Sequence, residues 1–406
     1  MEELIESLNP WWMGEEDPAL ARWRALRFKI VPNWIHKLSL EPFSLNFVVG
    51  PRQVGKTTGI KLLIRELLNS DSISPASILY LNCEIFPSFR DLLETLRWYQ
   101  EFRKRKGADH SYIFLDEITS LEGWWKPIKV LVDSGDLLGD VIVATGSSSI
   151  KVRRDVDFFP GRRGKGRTVE VVPLSFGEYA KIMGADTDSQ LRRAFQEYLE
   201  VGGFLSKMNG MPDAELISGY LNEMVRFGRS LEIVKEILAS LFRKAPSAVS
   251  YRSLAADTSG YSYKVVQTYL EFLKDLYLIG IAYLKDDGVK YRKERKFFFR
   301  DPALARVFSQ WAGQKFLESA LYEWVVQEHV YRKYGSVFYY RNGYEIDVVA
   351  DGLKIEVKAG KPHRRYPKGV ILLDETNIWK FLLDLGGNLW IGGGEEPDPT
   401  DVDGLL

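Results

Sequence analysis

Short apolar runs alternate with amphipathic stretches from Ser44 to about residue 175. The runs SLNFVVG, SILYLNC, YIFLDE and VIVATG have the length of strands, and the segments that follow them have helical spacing. Strand–helix alternation of this kind predicts a parallel sheet with helices on both faces. YIFL and VIVA are apolar at every position, as expected for strands buried on both faces. The pattern therefore predicts an α/β fold for this part of the chain.

Outside this region the pattern changes. Before it, an Asn9-Pro10-Trp11-Trp12 cluster and a helix that begins after Asp17 predict a packing arm. After it, mostly helical sequence reaches about Ser240, and the chain ends in the acidic segment EEPDPTDVDGLL. The predicted segments are a helical arm (1–40), an α/β core (41–175), a helical segment (176–240), a helix-turn-helix unit (241–312), a C-terminal α/β segment (313–396) and an acidic tail (397–406).

Composition restricts the classes of function. Lys plus Arg equals Asp plus Glu at 55 each, so no overall field attracts the chain to nucleic acid or to a membrane. The single cysteine, Cys83, excludes an intrachain disulfide and a multi-cysteine zinc site. No apolar stretch approaches about 18 residues, so we expect a cytoplasmic protein with no membrane partner. The four histidines lack metal-ligand spacing: His36, His110, His329 and His363.

The segment GPRQVGKT matches G-x-x-x-x-G-K-[ST], and it lies between a predicted strand and a predicted helix. Backbone N–H groups of such a loop hold phosphate oxygens, as does the N-terminus of the following helix. We expect Lys56 to reach the terminal phosphates of ATP and the Thr57 hydroxyl to ligate Mg²⁺. The predicted nucleotide-binding residues are Gly50, Pro51, Arg52, Gln53, Val54, Gly55, Lys56, Thr57 and Thr58.

Two carboxylates end the predicted strand YIFLDE, and α/β sheets bind ligands at the carboxyl ends of their strands. Asp116 is predicted to hold Mg²⁺ through water, and Glu117 to orient and deprotonate the attacking water. Thr145 or Ser147, at the end of VIVATG, is a candidate sensor of the γ-phosphate. Ordinary turn chemistry explains these hydroxyl residues equally well.

A basic glycine-containing loop, PGRRGKGRT, follows the last of these strands. Its Arg162 and Arg163 are candidates for the cation that stabilises a transferring phosphate. A solvated basic loop is the alternative explanation.

The motifs GPRQVGKTT, YIFLDEI, ATGSSS, GRR, VVPLSFGEY and YLEVGGF together resemble the prokaryotic AAA ATPases that carry a DUF4143-type C-terminal region. The resemblance implies an AAA-type P-loop NTPase core with a helical lid (176–240), a winged-helix unit (241–312) and a restriction-endonuclease-like domain (313–396). It also implies that Arg162 is an arginine finger acting in trans on a neighbouring subunit, and hence a homo-oligomer.

The segment SYRSLAADTSGYSYKVVQTYLEFLKDLYLIG has helix-turn-helix patterning, with a plausible cap at Ser262. Its outward positions are of types that contact phosphates and base edges, which favours double-stranded DNA as a partner. Such units also contact proteins, and Glu271 and Asp275 on the same helix fit that alternative. The outward positions are Tyr263, Lys264, Gln267, Thr268 and Lys274.

A charged hairpin is predicted in VFYYRNGYEIDVVADGLKIEVKAG, with its turn at Asp351-Gly352. This turn sets Asp347 opposite Glu356, a like-charge pair that a second divalent cation, Mg²⁺ or Mn²⁺, would relieve. With Lys358 the pattern resembles the PD-(D/E)xK nucleases, and Glu318 on the preceding helix matches their additional acidic residue. The alternative is a solvated charged face with a Glu345–Lys358 ion pair.

The leading hypothesis is therefore an ATPase that acts on DNA, with nucleotide turnover controlling a winged-helix and nuclease-like C-terminal half. The alternative is a non-nucleolytic switch that binds protein partners in response to nucleotide.

Overall fold

The computed structural model describes residues 2–146, 159–359 and 366–385. The described strands form one five-stranded and one six-stranded sheet. Neither Ser147 nor the predicted acidic tail (397–406) lies within the described residues.

The first sheet is the parallel sheet predicted from the apolar runs. Its order is β2-β3-β4-β1-β5, and all of its pairings are parallel. The middle strands are buried along almost their whole length, because helices cover both faces. The strands are β1 (Ser44–Val49), β2 (Ile78–Asn82), β3 (Tyr112–Asp116), β4 (Val141–Gly146) and β5 (Thr168–Glu170).

The two faces of this sheet carry separate hydrophobic clusters. Ile60 and Leu63 pack on one face, and Leu92 and Ile128 pack on the other. Alternate residues of each strand point to opposite faces, so each of the strands β1 to β4 contributes to both clusters. The helices of this region are α1 (Glu2–Leu8), α2 (Pro18–Ala25), α3 (Lys56–Leu68), α4 (Phe89–Arg105) and α5 (Trp125–Asp133).

The predicted N-terminal arm covers the β2 edge of the sheet. Asn9 is fully buried; its side-chain amide donates to the carbonyl oxygen of Tyr80 at 2.9 Å, and its amide oxygen accepts the Tyr80 N–H at 2.6 Å. The indole N–H groups of Trp11 and Trp12 donate to the carbonyl oxygen of Ile78 at 3.1 and 2.9 Å. These bonds satisfy backbone groups that an edge strand leaves unpaired.

Mostly helical structure follows the first sheet. Ser175 and Thr187 cap two of its helices in capping boxes, with Glu178 and Gln190 as the returning acceptors. The helices are α6 (Phe176–Ile182), α7 (Asp188–Val201), α8 (Leu205–Met208), α9 (Asp213–Arg226), α10 (Leu231–Lys244), α11 (Tyr251–Ala255) and α12 (Tyr263–Asp275).

The second sheet joins strands that the sequence pattern assigned to two different units. Its order is β11-β10-β9-β8-β6-β7, and parallel pairing of Tyr283 with Phe338 connects β6 to β8. A single hydrophobic core runs from Phe176 to Leu385, so the predicted segments 176–240, 241–312 and 313–396 share one core. The remaining elements are β6 (Ile279–Lys285), β7 (Val289–Phe299), α13 (Pro302–Trp311), α14 (Glu318–Tyr334), β8 (Phe338–Asn342), β9 (Tyr344–Ala350), β10 (Leu353–Val357), β11 (Ile371–Leu373) and α15 (Ile378–Leu385).

Candidate functional site

The phosphate loop connects β1 to α3 in the order that the motif requires. A Cβ atom on Gly50 would lie 1.9 Å from the carbonyl oxygen of Val171, so only glycine fits there. Gly55 has φ of +93° and directly precedes α3. Glycine adopts this left-handed conformation without steric cost. The backbone therefore requires glycine at Gly50 and favours it at Gly55. The N-terminus of α3 faces the loop.

Lys56 is buried at the start of α3. Its ammonium donates to the carbonyl oxygens of Gly50 at 2.9 Å and Pro51 at 2.8 Å. Burial lowers the pKa of Lys56, and the carboxylates of Glu117 and Asp116 counteract that effect. The cation therefore lies inside the loop and close to Asp116, the predicted magnesium ligand, and to Glu117, the predicted base.

The carboxylate of Asp116 accepts hydrogen bonds from three hydroxyl groups. Thr57 donates to it at 2.7 Å and Tyr80 at 2.9 Å, and Thr145 donates to its other oxygen. Burial and the Asp116 charge raise the pKa of Tyr80, so its phenol stays protonated and donates. The bonds fix the orientation of Asp116 beside the Thr57 hydroxyl.

Glu117 follows β3 directly and is the predicted base. Its φ of +52° is uncommon for a residue other than glycine. Its N–H donates to the Thr145 hydroxyl at 3.0 Å, and its buried Oε2 has no hydrogen-bond partner among the described residues. Burial raises the pKa of Glu117, although the charge of Lys56 opposes this. A carboxylate with a raised pKa and an open acceptor oxygen has the properties of a general base.

These residues fit a magnesium–nucleotide complex. The Thr57 hydroxyl and the Asp116 carboxylate are the oxygen ligands that Mg²⁺ prefers, and they are in contact with each other. The loop, the N-terminus of α3 and the Lys56 ammonium form a site for phosphate groups. The buried Oε2 of Glu117, close to this site, has no hydrogen-bond partner among the described residues and retains its capacity to accept one.

The outer part of the loop contacts α9. The Arg52 side chain donates to the carboxylate of Glu223 at 2.9 Å, and the Gln53 side chain donates to the carbonyl oxygen of Glu215 at 3.1 Å. Arg226, also on α9, donates to the carbonyl oxygen of Thr119, just beyond Glu117. The helix therefore closes over the loop.

Sequence reasoning missed several of these residues. Tyr80 carried a weak signal, since it is the one residue with a hydroxyl in the run ILYL. Glu223 and Arg226 carried none, because nothing in the pattern indicates that α9 reaches the loop.

The two candidate arginines have different surroundings. Arg162 forms a 2.5 Å ion pair with Asp133 of α5 and is about one-third exposed. Arg163 is more enclosed: it donates to the Thr168 hydroxyl at 3.0 Å, its guanidinium lies 5.1 Å from the ring of Phe47, and burial lowers its pKa. Of the two, Arg162 has the accessible side chain.

The charged hairpin has the predicted register. Ala350 pairs with Leu353 and Val348 with Ile355, and continuing this register sets Asp347 opposite Glu356. Burial and the Asp347 charge raise the pKa of Glu356. The like-charge pair is therefore present.

The surroundings of this pair differ from the expected metal site. The Lys296 ammonium, from β7, lies 2.7 Å from the Asp347 carboxylate. The described residues contain no group of three or more His, Cys, Asp or Glu side chains arranged to hold a metal ion. The structure thus gives no support to the expected second cation. Lys358 contacts Glu356, and Glu345 contacts Lys296. The alternative Glu345–Lys358 ion pair is therefore not formed either.

Glu318 does not lie with Asp347 and Glu356, where an additional acidic residue of a nuclease-like site was expected. It lies in the first turn of α14, is about two-thirds exposed and pairs with Arg306. Glu323, five residues further along the same helix, is the carboxylate that contacts Lys296, which in turn contacts Asp347 of the hairpin. Five residues correspond to a rotation of about 140° around a helix axis, so these two side chains leave the helix in different directions.

The helix-turn-helix candidate is formed by α11 and α12, followed by the β6–β7 hairpin. Of the outward positions, Tyr263, Lys264 and Thr268 are exposed, and Gln267 and Lys274 are half-buried. The side chain of Gln267 donates to Glu271 at 2.8 Å.

The chain is similar to several known proteins. An uncharacterized protein of Haemophilus influenzae is 25% identical over 386 residues, which cover 89% of this chain and 92% of that protein. An uncharacterized protein of Methanocaldococcus jannaschii is 25% identical over 270 residues, which cover 60% of this chain and 57% of that protein. No described helix is both long and apolar enough to cross a membrane.

Two solved structures of Aeropyrum pernix proteins also align with the chain. The ORC1 protein in complex with DNA has a TM-score of 0.34 and 14% identity, covering 75% of this chain and 92% of that chain. The ORC2 protein in its ADPNP–ADP complexes has a TM-score of 0.41 and 13% identity, covering 73% and 93%.

A family model described as an AAA domain matches residues 43–180. The matched segment contains the whole first sheet, the phosphate loop, Asp116 and Glu117. Residues 43–180 are therefore similar in sequence to an AAA domain, and their sheet order and loop geometry are those of a P-loop fold.

Proposed function

We propose that this protein hydrolyses ATP in a Mg²⁺-dependent reaction at the phosphate loop. The observation that carries the proposal is the position of Asp116, whose carboxylate accepts hydrogen bonds from the hydroxyls of Thr57 and Thr145. This arrangement joins the phosphate loop, β3 and β4 at one carboxylate. A binding site without catalysis would not require Glu117 beside it.

Each residue then has a role in the reaction. Lys56 and the loop N–H groups bind the phosphates, and Thr57 and Asp116 are the residues that would hold Mg²⁺. When bound, Mg²⁺ neutralises charge on the phosphate oxygens. Glu117 orients the attacking water and accepts its proton, and Thr145 holds the Glu117 backbone in place.

Phosphate release from Mg·ATP tests this proposal. We expect Lys56→Ala to abolish nucleotide binding and Glu117→Gln to keep binding while kcat falls by about 10²-fold or more. Lys104→Ala removes an exposed lysine of α4 and is the matched control for Lys56→Ala. Normal turnover in both site variants would rule out this catalytic assignment.

We further propose that the C-terminal half acts on double-stranded DNA. The supporting observation is the first half of β7, where residues 290–294 are exposed in succession and include Lys290, Arg292 and Lys293. The exposed Tyr263 and Lys264 begin α12 in the preceding helix pair. In the helix-turn-helix units that bind DNA, the second helix contacts the bases, and basic side chains contact the phosphates.

DNA affinity measured at several salt concentrations tests this second proposal. Neutralising Lys290, Arg292 and Lys293 together should weaken binding to a double-stranded oligonucleotide. It should also reduce the slope of log K against log salt by up to about 0.9 for each lost phosphate contact.

The matched control neutralises three consecutive exposed basic residues at the end of α4, Lys104, Arg105 and Lys106. It removes the same charge from a different face and should leave the slope unchanged. Absence of DNA binding by the wild-type protein at low salt would favour the alternative function, a nucleotide-dependent switch that binds protein partners.

For Arg162 we propose the role of an arginine finger in trans, within a homo-oligomer. Its partial exposure supports this role, since the side chain is accessible to a neighbouring subunit. Mixing Arg162→Ala with Lys56→Ala protein tests the idea. Each variant supplies what the other lacks, so partial recovery of ATPase activity is the expected outcome.

A further inference from the structure

Three carboxylates in the second sheet and its covering helix converge on one ammonium group. The Lys296 nitrogen lies 2.9 Å from Glu323, 2.7 Å from Glu345 and 2.7 Å from Asp347. The Lys296 side chain is only 2% exposed. These carboxylates come from α14 and β9, while the lysine comes from β7. The contact therefore ties three elements together at a single buried cation.

The charges at this point favour a permanent cation. Burial by itself would lower the pKa of Lys296, but Glu323, Asp347 and Glu345 outweigh burial and hold it well above the ordinary value. The second oxygen of Asp347 accepts the backbone N–H of Val357 at 3.0 Å. Both oxygens of Asp347 are thus engaged by donors of the chain itself.

The carboxylate of Glu356, which lies opposite Asp347, is also neutralised by a lysine. One oxygen of Glu356 accepts hydrogen bonds from Lys358 and from the Tyr366 hydroxyl, the latter at 2.8 Å. A metal ion between Asp347 and Glu356 would have to compete with the two lysines for these oxygens. Divalent cations require several oxygen ligands at once. Of the four carboxylate oxygens of this pair, only Oε2 of Glu356 has no hydrogen-bond partner among the described residues, and one oxygen is not enough.

We propose that the Lys296 ammonium takes the place of the divalent cation in this nuclease-like arrangement, so that the cluster is a metal-free ionic joint. The joint fastens β7, which carries the exposed basic residues, to α14 and β9. Its inferred role is to hold that strand rigidly in the second sheet, without metal-dependent cleavage. This inference does not depend on ATP hydrolysis at the phosphate loop.

Removal of the lysine gives a positive test. In Lys296→Ala the three carboxylates lose the cation that neutralises them, so a divalent metal ion that draws their oxygens together would relieve the repulsion. Titration of the full-length protein with Mn²⁺ in a calorimeter should show one additional site per chain relative to wild type. The double variant Lys296→Ala/Asp347→Asn should lose that site, which distinguishes it from Mn²⁺ bound at the phosphate loop. Failure of a folded Lys296→Ala protein to gain a site would overturn the proposal.

A comparison that keeps Lys296 covers the case in which Lys296→Ala does not fold. Wild type and the isosteric variant Asp347→Asn should bind the same number of Mn²⁺ ions, because Lys296 excludes the metal in both. A site that is present in wild type and lost in Asp347→Asn would show that the metal binds despite the lysine. That result would equally overturn the proposal.

Discussion

The Glu223 carboxylate on α9 accepts a 2.9 Å hydrogen bond from Arg52 of the phosphate loop, although the two residues are 171 positions apart. The Glu223 side chain is 3% exposed, whereas that of Arg52 is 30% exposed. Arg226 adds a second cation 3.8 Å from the same carboxylate. Glu223 therefore joins the first sheet and its helices to the C-terminal core directly at the phosphate loop.

The two sides of this ion pair should respond differently to substitution. Arg52→Met removes the nearest cation from a buried carboxylate, whereas Glu223→Gln removes the buried charge itself. Because a buried charge that loses its partner is costly, we expect Arg52→Met to lower the free energy of unfolding by about 1–3 kcal/mol and Glu223→Gln to lower it less. Urea unfolding followed by tryptophan fluorescence measures both. The reverse order would show that Arg52 does not neutralise Glu223.

Thr145 links Asp116 to the backbone of Glu117 through one hydroxyl. Thr145→Val keeps the shape of the side chain and removes both bonds. A hydrogen bond to a charged group is worth roughly 1.5–3 kcal/mol, so kcat should fall by about 10- to 100-fold. The affinity for nucleotide should change little, because Lys56 and the loop are unaltered. Thr145→Ser should retain most activity, and equal losses in the two variants would contradict a role for the hydroxyl.

The N-terminal arm is held by a buried ion pair. The Lys61 ammonium lies 2.8 Å from Asp17, with both side chains about one-tenth exposed, and 3.2 Å from the centre of the Tyr80 ring. Asp17→Asn keeps the cap of α2 but removes the partner charge. We expect a loss of about 1–3 kcal/mol in the free energy of unfolding.

The neighbouring pair Glu16–Arg24 is the control for this prediction. Both of its side chains are about half exposed, and exposed ion pairs contribute little to stability. Glu16→Gln should leave the unfolding transition unchanged. A similar loss in Glu16→Gln and Asp17→Asn would show that burial does not decide the contribution of the pair.

The pKa values of two buried groups in the C-terminal core are shifted in opposite directions. Burial raises the pKa of Asp301 to about 7 from 3.8, although the backbone N–H groups of Gly203 and Ala303 donate to it. Burial lowers the pKa of His329 to about 4 from 6.5. The ring of His329 is fixed as neutral, since it accepts the Phe176 N–H and bonds the Val325 carbonyl oxygen.

These shifts give stability terms of opposite sign. The contribution of Asp301 is fully present below about pH 4 and is lost as pH rises through about 7. That of His329 is present above about pH 6.5 and is lost as pH falls through about 4. Relative to wild type, Asp301→Asn should therefore gain stability as pH rises from 4 to 7, and His329→Gln should lose it. Urea unfolding at a series of pH values measures both slopes; slopes of the same sign would refute the assignment.

Local chemistry was sufficient to predict much of the candidate site at the phosphate loop. The phosphate loop depends on a contiguous motif and on its flanking strand and helix. Asp116 and Glu117 follow from the end of a single buried strand. The register of the charged hairpin follows from its two-residue turn, because a short turn leaves the strands only one pairing.

The partners of these residues depended on tertiary structure. Lys296 reaches Asp347 across 51 positions, and Glu223 reaches Arg52 across 171. Glu318 and Glu323 lie on one helix, yet only the packing of that helix determines which of them meets the hairpin. A sequence pattern reports which face of an element is buried, but not what that face packs against. For this reason the sequence located the carboxylates of both sites, and only the fold showed which charges neutralise them.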